Sequence, residues 1–294
     1  MSEINIKTLK LDQICPSKLD RVVAVEICDG NEAEIFSREK DCSLKREKIP
    51  FSPFIMLERD SILPSKDGVS QIVELLWSGN GKELCSVAKF ASVETYEKAL
   101  SSIKKSSGFA PTSPNAPYKI FSDLVQQSLI LGQIRLFRGM TFREIRRLQF
   151  DIETLLTDGY DFPNPERPDD KIAMICLRDN TNWERRIILD EKAGGEKALL
   201  EEFVNAINER DPDVIEGYNI FRFDLPFIEK RAAIHKVKLK IGRDGGLIRG
   251  RASRMTFAER TISYTRYDCY GRHISDIYFM VQLYDIFHRE LQDF

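Results

Sequence analysis

Apolar and polar positions change their rhythm near the middle of the chain. Before it, apolar residues come in short runs rich in Val, Ile and Phe, broken by turn residues. Residues 21–27, 34–36 and 54–57 read as strands, with turns at Asp29-Gly30-Asn31, Asp67-Gly68 and Gly79-Asn80-Gly81. Val93, Tyr96, Leu100 and Ile103 recur at helical spacing, which predicts a helix over residues 93–103. Residues 101–117, rich in Ser and Lys and carrying Pro111, Pro114 and Pro117, read as a surface loop or hinge. Residues 124–131 read as a short helix.

After the middle, strands and helices alternate. Residues 147–154, 172–178 and 186–189 read as three strands. Residues 196–210 form an amphipathic helix with Leu199, Leu200, Phe203, Val204 and Ile207 on one face, ended by Asp211-Pro212. A fourth strand follows at 214–218, then a helix at 225–236 with Pro226 in its tolerant first turn. Residues 256–264 and 267–275 read as the arms of a hairpin, and 276–291 as a last helix. This order is similar to that of the ribonuclease H-like fold. The expected class is α/β: a ribonuclease H-like domain with a mixed sheet over 141–294, preceded by a β-rich α+β domain over 1–140.

Composition narrows the class. Apolar residues at 42% and charged residues at 31% fit a globular chain and exclude collagen-like or disordered ones. No apolar run approaches the ~18 residues of a membrane span, and the N-terminus lacks the basic-then-apolar pattern of a signal peptide. The six cysteines include no C-x-x-C pair and read as reduced, mostly buried thiols of an intracellular protein, cytoplasmic if the source is prokaryotic. A net charge of −2 gives no overall attraction for nucleic acid. One stretch departs from that balance. Residues 230–254 hold Lys230, Arg231, Lys236, Lys238, Lys240, Arg243, Arg249, Arg251 and Arg254 against Asp244 alone, in a glycine-rich context. It reads either as a phosphate-binding segment or as a solvated, flexible loop.

Two short segments carry candidate chemistry. In Asp151-Ile152-Glu153-Thr154 the strand period puts both carboxylates on one face, about 7 Å apart. Two anions so placed repel each other, and a hard divalent cation such as Mg²⁺ or Mn²⁺ removes that cost. Alternatively they are two surface acids on a solvated strand. In Gly217-Tyr218-Asn219-Ile220-Phe221-Arg222-Phe223-Asp224 a strand ends and a helix begins, the sheet edge where α/β folds bind ligands. Asp224 is either a third metal-binding acid or an ordinary helix N-cap.

Asp-x-Glu on an early strand followed by Asn-x-x-x-Phe-Asp after a later one resembles the first two motifs of the 3′–5′ exonuclease domain of family B DNA polymerases. The flanks agree: Phe142-Arg-Glu-Ile-Arg-Arg-Leu-Gln-Phe-Asp151, Asp213-Val-Ile-Glu-Gly-Tyr-Asn219 and Gly271-Arg-His-Ile-Ser-Asp276 are similar to that family. Residues 50–56 and 132–140 resemble its N-terminal domain. The resemblance implies two-metal removal of nucleotides from a DNA 3′ end. Asp151 would touch both ions, Glu153 the ion that activates water, and Asp224 the ion near the leaving oxygen. Asn219 and Phe223 would position the terminal nucleotide. Lys236, Lys238, Lys240, Arg249 and Arg251 are the candidate DNA contacts. The implied partners are DNA, as a single-stranded 3′ end or primer-template, and the remainder of a polymerase chain.

The family also has a fourth carboxylate, in a Tyr-x-x-x-Asp motif. Tyr264-Thr-Arg-Tyr-Asp268 fits by pattern but falls in the expected hairpin. His288-Arg-Glu-Leu-Gln-Asp293 fits a related variant at the very end of the chain. The expectation is that this motif lies beyond residue 294, so that the chain is a fragment with little or no activity alone. The alternatives are a stand-alone nuclease related to the polymerase exonuclease, and a non-catalytic nucleic-acid-binding module.

Overall fold

The computed structural model describes residues 18–28, 31–74, 84, 86–257 and 260–284. The turns expected at residues 29–30 and 79–81, Cys15 and Cys85, the His288…Asp293 pattern and the last helix beyond Tyr284 lie outside them. The chain divides into two compact units, Met1–Gly139 and Met140–Phe294.

The first unit is β-rich, as expected. Strands β1 (Val22–Cys28), β2 (Glu32–Arg38) and β3 (Leu44–Pro50) form one antiparallel sheet; β4 (Phe54–Leu57), β5 (Val69–Glu74), β6 (Ser86–Phe90) and β7 (Tyr118–Lys119) form another. The pattern of β3, Leu-Lys-Arg-Glu-Lys-Ile-Pro, is mostly exposed and charged, so it gave no apolar signal. Helix α1 (Val93–Ser107) starts at a Ser92–Thr95 capping box and ends at Gly108 in the left-handed region, φ 72°. It takes in residues 101–107, which the serine and lysine content had suggested were loop. Asp123 caps α2 (Leu124–Gly132).

The second unit is built on a five-stranded mixed sheet in the order β10-β9-β8-β11-β14: β8 (Arg147–Thr154), β9 (Ile172–Asp179), β10 (Glu184–Ile188), β11 (Val214–Gly217) and β14 (His273–Asp276). β8 runs antiparallel to β9 and parallel to β11, and β11 runs parallel to β14. Helix α3 (Gly195–Arg210) buries Leu199, Leu200, Phe203, Ala206 and Ile207. Phe203 meets Phe150 of β8 edge to face at 5.2 Å. Each large side chain so buried contributes about 1.5–3 kcal/mol. β8 alternates as predicted: Leu148, Phe150 and Ile152 enter the core, while Gln149, Asp151 and Glu153 are exposed.

The hairpin exists with a different register. Its arms are β12 (Arg249–Phe257) and β13 (Arg260–Asp268), paired from Arg249↔Asp268 to Phe257↔Arg260. The polar residues 265–266, expected at its turn, lie within an arm. A two-stranded ribbon with a wet face accepts charges at alternate positions, so its arginines were no loop signal. Residues 273–276 leave the hairpin and extend the main sheet. Helix α4 (Asp224–Ile234) follows β11, and α5 (Ile277–Tyr284) follows β14.

The 230–254 segment is not uniformly a free basic surface either. Arg231 is buried against Glu196. Arg243 is buried where β11 and β14 begin, bonded to Asp211 (2.9 Å), Asp213 (2.7 Å) and the Gly271 carbonyl (2.7 Å). Arg272 joins the same cluster through Asp211 (2.8 Å) and the carbonyls of Pro212 and Ile241. Lys236, Lys238, Lys240 and Arg249 are exposed. The four described cysteines are free thiols, but only Cys269 is buried and Cys42 is exposed, which corrects the expectation of mostly buried thiols.

Candidate active site

The chemistry collects where β8, β11 and β14 end. Gly217 closes β11: a Cβ there would come within 2.3 Å of the Ile220 side chain and 2.9 Å of the Phe150 carbonyl oxygen. Only glycine lets the chain turn this close to β8. The turn carries Asn219 in the left-handed region at φ 62° and delivers Asp224 at the start of α4.

Asp224 is not an N-cap. The cap position is Phe223, and the Asp224 carboxylate turns to the strand, where Oδ1 accepts the Ile152 N–H at 3.1 Å. Asp224 is 2% exposed and lies beside Asp151 in the cleft lining. Burial and the facing Asp151 charge push its pKa up to about 7. Partial burial and the nearby Glu153 charge raise Asp151 as well. Two carboxylates in contact share a proton unless a cation replaces it.

Asp276, which the sequence marked only as a helix start, organises the opposite side. It is buried at the end of β14, and its carboxylate accepts the N–H groups of Asn219 (2.8 Å), Phe221 (3.0 Å) and Tyr278 (3.0 Å). Burial raises its pKa against those hydrogen bonds. The signal that could have found it is positional: it is the acid at the end of a third strand of the same sheet edge. With its backbone held, Asn219 leaves its buried Oδ1 without a hydrogen-bond partner. Buried acceptors are rarely left so in a folded chain, and a ligand donor answers the deficit.

Asp151, Asn219, Phe223 and Asp224 line one cleft of about 990 Å³. Phe162 and Pro163, from the loop over residues 155–171, also line it, and Phe162 is 80% exposed. Sequence reasoning passed over this loop because its apolar residues have no period. Glu153 stands two residues along β8 on the same exposed face. The Tyr264…Asp268 pattern does not supply a further ligand. Tyr264 stacks on Phe221 at 5.6 Å, and Asp268 pairs with Arg251 and Arg266 at the foot of the hairpin. The same pairing occupies Arg251, one of the expected DNA contacts.

The donor set suits a hard divalent ion in kind: oxygen ligands, two of them with raised pKa values. Among the described residues no three His, Cys, Asp or Glu side chains are already drawn together as a metal cage. That is compatible with Mg²⁺, which commonly takes one or two carboxylates and completes its shell with water and substrate phosphate. No helix among the described residues is long and apolar enough to cross a membrane.

The family model described as "DNA polymerase family B, exonuclease domain" matches residues 135–284. The chain is 38% identical over 153 residues to a DNA polymerase of Archaeoglobus fulgidus, an alignment covering 52% of this chain and 18% of that one. It is 37% identical over 108 residues to a DNA polymerase of Pyrococcus glycovorans, covering 35% of this chain and 13% of the relative. The chain thus spans less than a fifth of the length of these relatives. The family B DNA polymerase structure from Pyrobaculum calidifontis superposes on 90% of this chain and 36% of its own, with a TM-score of 0.59 at 18% identity, which shows a shared fold. With the match spanning β8 to α5 and the whole cleft edge, the chain belongs to the exonuclease-domain family of the family B DNA polymerases.

Proposed function

We propose that the chain is the N-terminal and proofreading portion of a family B DNA polymerase, a 3′–5′ exonuclease that hydrolyses the terminal phosphodiester of single-stranded DNA. The observation that carries this reading is the convergence of buried Asp224, Asp151 and Asn219, whose buried Oδ1 has no partner, on one cleft. Asp151, Glu153 and Asp224 would hold Mg²⁺ or Mn²⁺. When bound, such ions lower the pKa of the attacking water and stabilise the leaving oxygen. The chain itself does the positioning. Asn219 offers its unpaired carbonyl oxygen to a donor on the terminal nucleotide. Phe223, packed on Phe227 at 5.7 Å, lines the same space, as does Phe162. Among the described residues, Asp268 pairs with Arg251 at the foot of the hairpin and does not join Asp151 and Asp224 in lining the cleft. Residues 1–294 alone are therefore expected to hydrolyse DNA weakly or not at all.

Calorimetry with Mn²⁺ tests the metal assignment. Wild type should release heat on titration, and Asp151→Ala should lose most of it; equal binding by the two proteins rejects the site. The exposed lysines after α4 are tested separately. Replacing Lys236, Lys238 and Lys240 by Ala removes up to three phosphate contacts. The slope of log affinity for single-stranded DNA against log salt should fall by roughly 2. An unchanged slope assigns the lysines to the solvated surface.

A further inference from the structure

Phe162 is an exposed ring on a long loop, an arrangement that ordinarily leaves a side chain free to wander. Here the loop is pinned at two places. Asp170, fully buried, accepts the N–H groups of Thr157 (2.8 Å) and Asn164 (2.7 Å) and the Arg167 Nε (2.8 Å). Burial would raise its carboxyl; the hydrogen bonds outweigh that and hold it at about 2. Arg167 lies over the Tyr160 ring at 3.8 Å and donates to the Phe162 carbonyl. The second pin comes from α4. Arg231, 2% exposed, donates through one guanidinium nitrogen to the carbonyls of Pro165 (3.1 Å) and Arg167 (3.0 Å). Its other nitrogens grip Glu196, with Nε 2.9 Å from both carboxylate oxygens. Glu196 is buried in turn and accepts the Ile172 N–H (2.8 Å) just past the loop; His235 Nε2 lies 2.7 Å from it.

We propose that Arg231 is a positioning residue of the cleft. Clamped by Glu196, it fixes the 155–171 loop to the helix that begins with Asp224, so that Phe162 and Pro163 form a set wall for the last bases of a single-stranded DNA. This rests on the exonuclease reading. One helix then serves the cleft twice: its first residue supplies the acid, and its eighth holds the loop that carries Phe162 and Pro163. Arg231 serves through its planar fork, which satisfies a carboxylate and two carbonyls at once. Lysine keeps the charge and cannot span all three. An ion pair needed only for burial is often replaceable by apolar residues, so the two carbonyl contacts are the informative feature.

The chain of 294 residues and its Arg231→Lys variant are compared by hydrogen exchange. The variant should exchange at least tenfold faster over residues 157–167, while amides of β8 and α3 keep wild-type rates. Unchanged rates in the loop, or an equal rise throughout the second unit, overturn the proposal. Arg167→Ala, at a partly exposed residue, should loosen the same loop from its other side and covers the case in which Arg231→Lys does not fold. Binding of a fluorescent single-stranded oligonucleotide in Ca²⁺ then tests the consequence. Arg231→Lys and Phe162→Ala should each weaken it about five- to tenfold, with the double variant no weaker than Phe162→Ala alone. Independent, multiplying losses overturn the proposal. A wild-type chain that binds no oligonucleotide counts against the exonuclease reading, and the exchange rates decide on the clamp without it.

Discussion

Asp224→Asn makes the metal-free chain more stable at pH 8 and removes its response to divalent cations. Asparagine keeps an oxygen for the Ile152 N–H and carries no charge against Asp151. The carboxyl moves from 3.8 to about 7 on folding. At about 1.4 kcal/mol per unit, shared with Asp151, the variant should gain on the order of 2–4 kcal/mol. Below pH ~4 the carboxyl is protonated in both folded and unfolded chains, and the two proteins differ little. From there to about 7 the folded wild type keeps a proton that the unfolded chain releases, so wild-type stability falls relative to the variant. Above 7 the gap is constant. Mn²⁺ at about 100 times its dissociation constant should restore some 2.7 kcal/mol to wild type alone. Denaturant curves over pH 4–8, with Mn²⁺ or EDTA, measure this. A variant less stable than metal-free wild type at pH 8 would contradict the raised pKa.

Arg243→Met unfolds the second unit far more readily. Arg243 and Arg272 share Asp211, and Arg243 also holds Asp213, a residue with no solvent exposure. Removing one arginine leaves buried carboxylate charge uncompensated, at a cost of about 3–5 kcal/mol. For a unit of this size that lowers the midpoint by roughly 10 °C or more. Calorimetric melting should show the shift in the transition belonging to Met140–Phe294. A shift below about 3 °C would mean the cluster relaxes around the loss.

The core of the second unit was legible because its signals are local and redundant. The strand Arg147–Thr154 alternates without a break, and α3 shows its apolar face at 3.6-residue spacing. Asp151, Asn219, Phe223 and Asp224 converge on one cleft because sheet topology brings the ends of β8 and β11 side by side. What escaped depends on pairing that no short window contains. β3 is a strand because β2 offers it hydrogen bonds, and the arms of β12 and β13 are defined by each other. Arg231 and Arg243 read as surface cations because their partners, Glu196, Asp211 and Asp213, lie far off along the chain or belong to another element. Asp276 escaped for the same reason: its three N–H donors include two from the turn after a different strand.

β10, at one end of the five-stranded sheet, has a further consequence. Glu184 and Arg186 stand together on one of its faces, and Arg185 on the other is held by Glu202 and Glu209 of α3. A second chain approaching edge-on, during synthesis or at high concentration, would have to strip water from both charged faces before any backbone bond could form. The sheet can therefore keep its cleft open along its end without offering its side as a template for aggregation.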